Sequence, residues 1–125
     1  MTGTLYLIPN HLGLSDGAID PLSRIIPEQV RQITSQLDYF VAENAKTARA
    51  FLKLIGNQHP LAKPLQEITI SELNVNTPAQ ALAGLLAPLL AGRDAGLVSE
   101  AGVPAVADPG ADLVRLAHQH AIRVR

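Results

Sequence analysis

Short apolar runs alternate with stretches of helical character along the whole chain, and that alternation restricts it to very few folds. The runs are Thr4-Leu5-Tyr6-Leu7-Ile8, Tyr39-Phe40-Val41-Ala42, a shorter one around Ile68-Thr69-Ile70, Ala95-Gly96-Leu97-Val98, and Ile122-Arg123-Val124-Arg125. Apolar runs of this length, largely without polar alternation, belong to strands covered on both faces. Strand and helix in strict succession predict an α/β domain: a doubly wound, mostly parallel sheet of about five strands with helices on both faces. Such sheets take ligands beyond the carboxyl ends of their strands. Three loops qualify by position, those after Ile8, after Ala42 and after Val98.

The intervening stretches carry helix signals. Pro27-Glu28 opens the first, which runs to about Gln36 with Val30, Ile33 and Leu37 on one side. Asn44 is the expected N-cap of the second, from Ala45 to Ile55, with Ala45, Ala48, Leu52 and Ile55 as its apolar stripe and Gly56-Asn57 as its end. Lys46, Arg49 and Lys53 share a neighbouring face, where three cations can contact phosphate, although the residues favour an ordinary solvated face. Thr77-Pro78 starts the third helix, lined by Leu82, Leu85, Leu86, Leu89 and Leu90, and Pro88 predicts a kink or an early end. The fourth runs from about Ala111 to Gln119 with Leu113, Leu116 and Ala117 inward.

Composition removes several function classes. At 125 residues the chain makes one domain, and with 3% aromatics and no Trp its core is aliphatic. Absence of Cys excludes disulfides, thiolate metal sites and a Cys nucleophile. A net charge of -1 gives no global field to attract nucleic acid, and only a local patch would serve. No secretory leader and no membrane-spanning apolar run stand out, so a cytoplasmic protein without membrane contact is expected. The first strand is not followed by G-x-G-x-x-G, no phosphate-binding G-x-x-x-x-G-K-[ST] occurs, and Ser99 is not in a G-x-S-x-G setting. His118 and His120 stand two apart on a predicted helix and read as surface residues, so no metal site is expected.

The richest stretch is Gly96 to Gly110, GLVSEAGVPAVADPG. It leaves a buried strand and passes through Gly102, Pro104 and Pro109-Gly110, a stiff loop whose free backbone groups suit a polar small molecule. Pro9 to Asp20 is also long for a structural connection. Glu43, at the end of the second strand, is the candidate catalytic carboxylate, a general base or orienting group. The residues equally allow, and favour, a carboxylate satisfied by the next helix N-terminus. Glu100 and Asp108 carry the same ambiguity.

Three segments carry a resemblance: GTLYLIPNHLG at Gly3 to Gly13, VAENAKTARAFL at Val41 to Leu52, and LVSEAGVPAVADPG at Leu97 to Gly110. In order and spacing the chain resembles the tetrapyrrole methylase superfamily of S-adenosylmethionine-dependent methyltransferases, within it the branch that methylates ribosomal RNA on the ribose 2′-oxygen. The resemblance implies that residues 1–125 are the N-terminal α/β domain of a two-domain methylase, with a second domain beyond Arg125. It implies S-adenosylmethionine as cofactor, bound near Leu12 and Gly13 in the first loop and near Ala101, Gly102, Val103 and Val106 in the loop after the fourth strand, largely through backbone. The family's acidic position after the second strand falls on Glu43. The branch usually has Asp at Glu100, Thr at Val103 and EDTR where this chain reads Glu43-Asn44-Ala45-Lys46. A divergent paralogue is therefore expected, its acceptor not necessarily the same rRNA nucleotide. A homodimer is expected, with no turnover and at best weak cofactor binding by this domain alone. The alternative is a non-catalytic α/β ligand-binding or dimerisation module.

Overall fold

The structure, a computed structural model, describes residues 2–9, 28–74, 76–99 and 109–125. Five strands form one sheet: β1 (Thr4–Pro9), β2 (Tyr39–Ala42), β3 (Thr69–Glu72), β4 (Ala95–Ser99) and β5 (Arg123–Val124). Among the described residues four α-helices alternate with them: α1 (Glu28–Gln36), α2 (Ala45–Gln58), α3 (Leu82–Leu90) and α4 (Pro109–Gln119). Short 3-10 turns at Leu65–Glu67 and Ala79–Ala81 precede β3 and α3. The strand order is β3-β2-β4-β1-β5, and every pairing is parallel.

The period-two alternation of the strands divides the core into two layers. Ile8, Phe40, Ala42 and Val98 are buried on one face with Leu37 and with Ala48, Phe51, Leu52 and Ile55 of α2. Leu5, Tyr39, Val41, Ala95 and Leu97 are buried on the other face with Leu86 and Leu89 of α3 and Leu113 and Ala117 of α4. Helices α1 and α2 pack together, as do α3 and α4. The doubly wound α/β fold is therefore present, and its sheet is parallel throughout the described residues.

Two glycines in the strand region are needed for close approach. A Cβ on Gly96 would lie 2.6 Å from Ile8 Cδ1 and 2.8 Å from Phe40 Cδ1, so β4 has no side chain where Ile8 and Phe40 meet above it. A Cβ on Gly3 would overlap the Arg93 carbonyl, and the Gly3 N–H donates to Leu89 O at 2.7 Å.

Local details depart from the sequence reading. Helix α2 does not stop at Gly56-Asn57; it continues to Gln58, and the His59 N–H closes it on Ile55 O at 2.9 Å. Gly56 is a packing position, with Leu61 Cγ 3.2 Å from where a Cβ would stand. Its apolar stripe also includes Phe51, fully buried. Thr77 does not cap α3: its Oγ1 accepts from the Asn74 N–H at 3.0 Å, and the chain enters α3 through the 3-10 turn after Pro78. Leu90, expected inside, is 45% exposed. Helix α3 does not stop at Pro88: it runs through it to Leu90, the last residue of the leucine stripe. The exit is a Schellman turn, with Gly92 at φ 102°, its N–H on Leu89 O at 3.0 Å and the Arg93 N–H on Pro88 O at 2.9 Å. Helix α1 buries not only Leu37 beyond its end but also Arg31, Thr34 and Ser35. The two hydroxyls are satisfied locally, Thr34 donating to Val30 O and Ser35 to Gln32 O, each at 2.7 Å.

Candidate functional site

Adjacency at the carboxyl edge follows from the sheet order. Strand β4 lies between β2 and β1, with Ala42 paired to Val98 and Pro9 paired to Ser99. The three loops singled out from the sequence thus leave from three neighbouring strands, with the loop after β4 in the middle. The connections from β1 and β2 lead to helices on one face and that from β4 to a helix on the other. In doubly wound sheets the carboxyl ends of adjacent strands whose connections go to opposite faces are the usual ligand position.

Of the candidate residues, Glu43 is described. It follows β2 directly, is exposed, and makes no hydrogen bond or ion pair among the described residues. The first turn of α2 does not use it. Asn44 caps that helix as expected, its Oδ1 accepting from the N–H groups of Lys46 at 2.9 Å and Thr47 at 3.2 Å. The remaining N–H, that of Ala45, is taken by Glu72 Oε2 at 2.9 Å. Glu72 ends β3 and pairs in register with Ala42, so the bracing carboxylate comes from the neighbouring strand. No local pattern signals it, because the contact depends on the β2–β3 register. Glu43 is left exposed at the carboxyl end of β2. Leu12, Gly13, Glu100, Ala101, Gly102, Val103, Val106 and Asp108 lie outside the described residues, as do most of the two loops that hold them.

At the opposite, amino-terminal edge the electrostatics are closed. Asp38, just before β2, pairs with Arg93 Nη2 at 2.8 Å and Lys63 Nζ at 3.1 Å. The hydrogen bond from Arg93 holds its carboxyl below the usual aspartate value, aided by Lys63 and opposed by partial burial. Arg93 also lies over the Tyr39 ring, 5.7 Å from its centroid. Burial pushes the Tyr39 phenol up, and its hydroxyl donates to Leu85 O at 2.8 Å. An open groove of about 410 Å³ also sits at this edge, lined by Thr2, Gly3, Thr4, Ala121 and Arg123. It is remote from the three loops. Among the described residues no three His, Asp or Glu side chains are grouped to hold a metal, and no helix is long and apolar enough to cross a membrane.

Fold and edge geometry define a doubly wound α/β domain presenting adjacent loops at the carboxyl ends of β2, β4 and β1. No family model matches the chain. Among curated proteins it is similar to ribosomal RNA small subunit methyltransferase I of Xylella fastidiosa, 30% identical over 122 residues, 98% of this chain and 38% of that protein. The protein of that name from Escherichia coli O157:H7 is 29% identical over 123 residues, 98% of this chain and 37% of its own length. That from Streptococcus pyogenes serotype M1 is 29% identical over 117 residues, 93% and 34%. The likeness to the rRNA methyltransferase branch read from the sequence is thus supported along nearly the whole chain, which spans little more than a third of the length of these relatives.

Proposed function

We propose that this chain forms the cofactor-holding domain of an S-adenosylmethionine-dependent methyltransferase acting on ribosomal RNA, with methylation of a ribose 2′-oxygen as the specific reaction. The observation that carries the reading is the similarity to rRNA methyltransferases over 98% of the chain. The sheet supports it by making neighbours of the strand ends from which the two cofactor loops depart. In this reading Leu12, Gly13, Ala101, Gly102, Val103 and Val106 hold the cofactor, and the second α/β domain and the homodimer belong to the same proposal. The described part of the edge is compatible with the group: the strand ends are apolar at Ile8, Ala42 and Val98, and the exposed Glu43 carboxylate suits a sulfonium or a ribose hydroxyl.

S-adenosylmethionine supplies an electrophilic methyl when bound. The chain's own residues have the tasks of positioning and exclusion of water, which carry much of the rate in reactions of this kind. In this reading a glycine at 102 would admit close backbone approach and a proline at 104 would stiffen the loop. The acceptor hydroxyl must lose a proton, and Glu43 is the described carboxylate at the carboxyl edge left unengaged to receive or orient it. Calorimetry with S-adenosylhomocysteine on the full gene product tests the reading. Binding to the natural sequence, weakened at least tenfold by Gly102→Val, is the expected result. No binding to the natural sequence would return the chain to the class of non-catalytic α/β modules.

A further inference from the structure

Helix α2 begins at the carboxyl edge, one residue past Glu43 and Asn44, and runs back along one face of the sheet. Its buried side is Ala48, Phe51, Leu52 and Ile55. Lys46, Arg49 and Lys53 are all exposed and project from the opposite side, within an arc of roughly 60° and over about 10 Å of helix axis. The helix contains no Asp or Glu, so its own charge is uncompensated. None of the three cations has an ion-pair partner among the described residues, whereas Lys63, Arg93 and Arg115 each face a carboxylate. Lys46 stands in the first turn, which carries no acid of its own and is met by the Glu72 carboxylate of β3 at the Ala45 N–H. An exposed row with no ion-pair partner among the described residues, in a chain of net charge -1, is a local positive field starting at the carboxyl edge.

We propose that the outer face of α2 is a docking track for the phosphate backbone of single-stranded RNA, with Lys46, Arg49 and Lys53 as its phosphate contacts. The track deepens the methyltransferase reading and rests on it for the identity of the acceptor, since it leads an RNA strand to Glu43 and the three loops. Contacts of this kind position a strand without reading its bases. The helix axis advances about 4.5 Å between the first two cations and about 6 Å between the second pair, within reach of successive phosphates for side chains this long.

The test is fluorescence anisotropy of a labelled single-stranded RNA oligonucleotide on the full chain, without cofactor, across a salt series. Three phosphate contacts contribute about -2 to the slope of log affinity against log salt, roughly a 20-fold loss between 50 and 200 mM. The triple variant Lys46→Gln, Arg49→Gln, Lys53→Gln should remove that contribution. A charge-keeping variant, Lys46→Arg with Arg49→Lys and Lys53→Arg, should retain it, and so should Lys63→Gln, which alters a cation already paired with Asp38. All positions are exposed, so unchanged circular dichroism melts are expected for the triple variant. No RNA binding by the natural sequence, an unchanged slope in the triple variant, or an equal loss in Lys63→Gln would overturn the proposal. Capture by phosphatidylserine vesicles instead of RNA would also overturn it. Because no cofactor is present, this result is independent of the S-adenosylhomocysteine titration, and either reading can fail alone.

Discussion

Replacing Gly96 by Ala asks whether the strand bearing the central loop is fitted to its neighbours. The new methyl would stand 2.6 Å from Ile8 Cδ1 and 2.8 and 2.9 Å from the Phe40 ring. Ile8 and Phe40 are 1% and 0% exposed, so neither side chain can swing into solvent. Overpacking of this kind costs about 1–3 kcal/mol. Loss of the unfolded chain's glycine freedom returns about 0.4–1 kcal/mol. The difference spans about 0–2.6 kcal/mol, and with every contact below 3.0 Å against buried side chains the upper part applies, about 1–2.5 kcal/mol, a fall in Tm of roughly 4–10 °C for a domain of this size. Urea denaturation of the natural sequence, Gly96→Ala, Phe40→Leu and the double variant gives the coupling directly. Phe40→Leu vacates the ring positions the methyl would meet, so Gly96→Ala should cost clearly less in that background. An equal cost in both backgrounds, or a neutral Gly96→Ala, would refute the packing argument.

Two further substitutions probe the same framework. Ala121 has φ 59° in the Schellman turn that closes α4, with its N–H on His118 O at 3.1 Å and that of Ile122 on Ala117 O at 2.9 Å; Ala121→Gly should stabilise by about 1 kcal/mol, read as a higher urea midpoint at constant m-value. Asp38→Asn should cost about 0.5–1 kcal/mol at neutral pH, the discount reflecting the half-exposed Lys63 and Arg93. Because the folded pKa of Asp38 is lowered, its contribution is fully present above the unfolded value and is lost as pH falls through the folded one, so the variant's stability should fall less steeply below about pH 4.

Most of the framework could be read from the residues, because strand runs, caps and helical stripes are local signals. Asn44 announced the start of α2, and both faces of the sheet follow from alternation within β1, β2 and β4. What the residues could not give depends on distant partners. Gly56 reads as a terminator until Leu61 is found packing on it, and Thr77 reads as a cap until its hydroxyl is found accepting from Asn74. The three loops were recognisable as carboxyl-edge loops, but their adjacency requires β4 to insert between β2 and β1, which no local pattern specifies. Glu43 was ambiguous for the same reason: its freedom is visible only once Glu72 takes the Ala45 N–H. The cofactor residues rest on the resemblance, since they lie outside the described residues.

Whether the carboxyl edge of β2, β4 and β1 holds S-adenosylmethionine, as proposed, is tested by nuclear magnetic resonance mapping of the full gene product titrated to saturation with S-adenosylhomocysteine. Amide shifts are expected at Ala42 to Ala45 and around Ser99, with Thr2 to Thr4, Ala121 and Arg123 at the opposite edge unmoved. Shifts confined to that opposite groove, or none at saturating ligand, would contradict it.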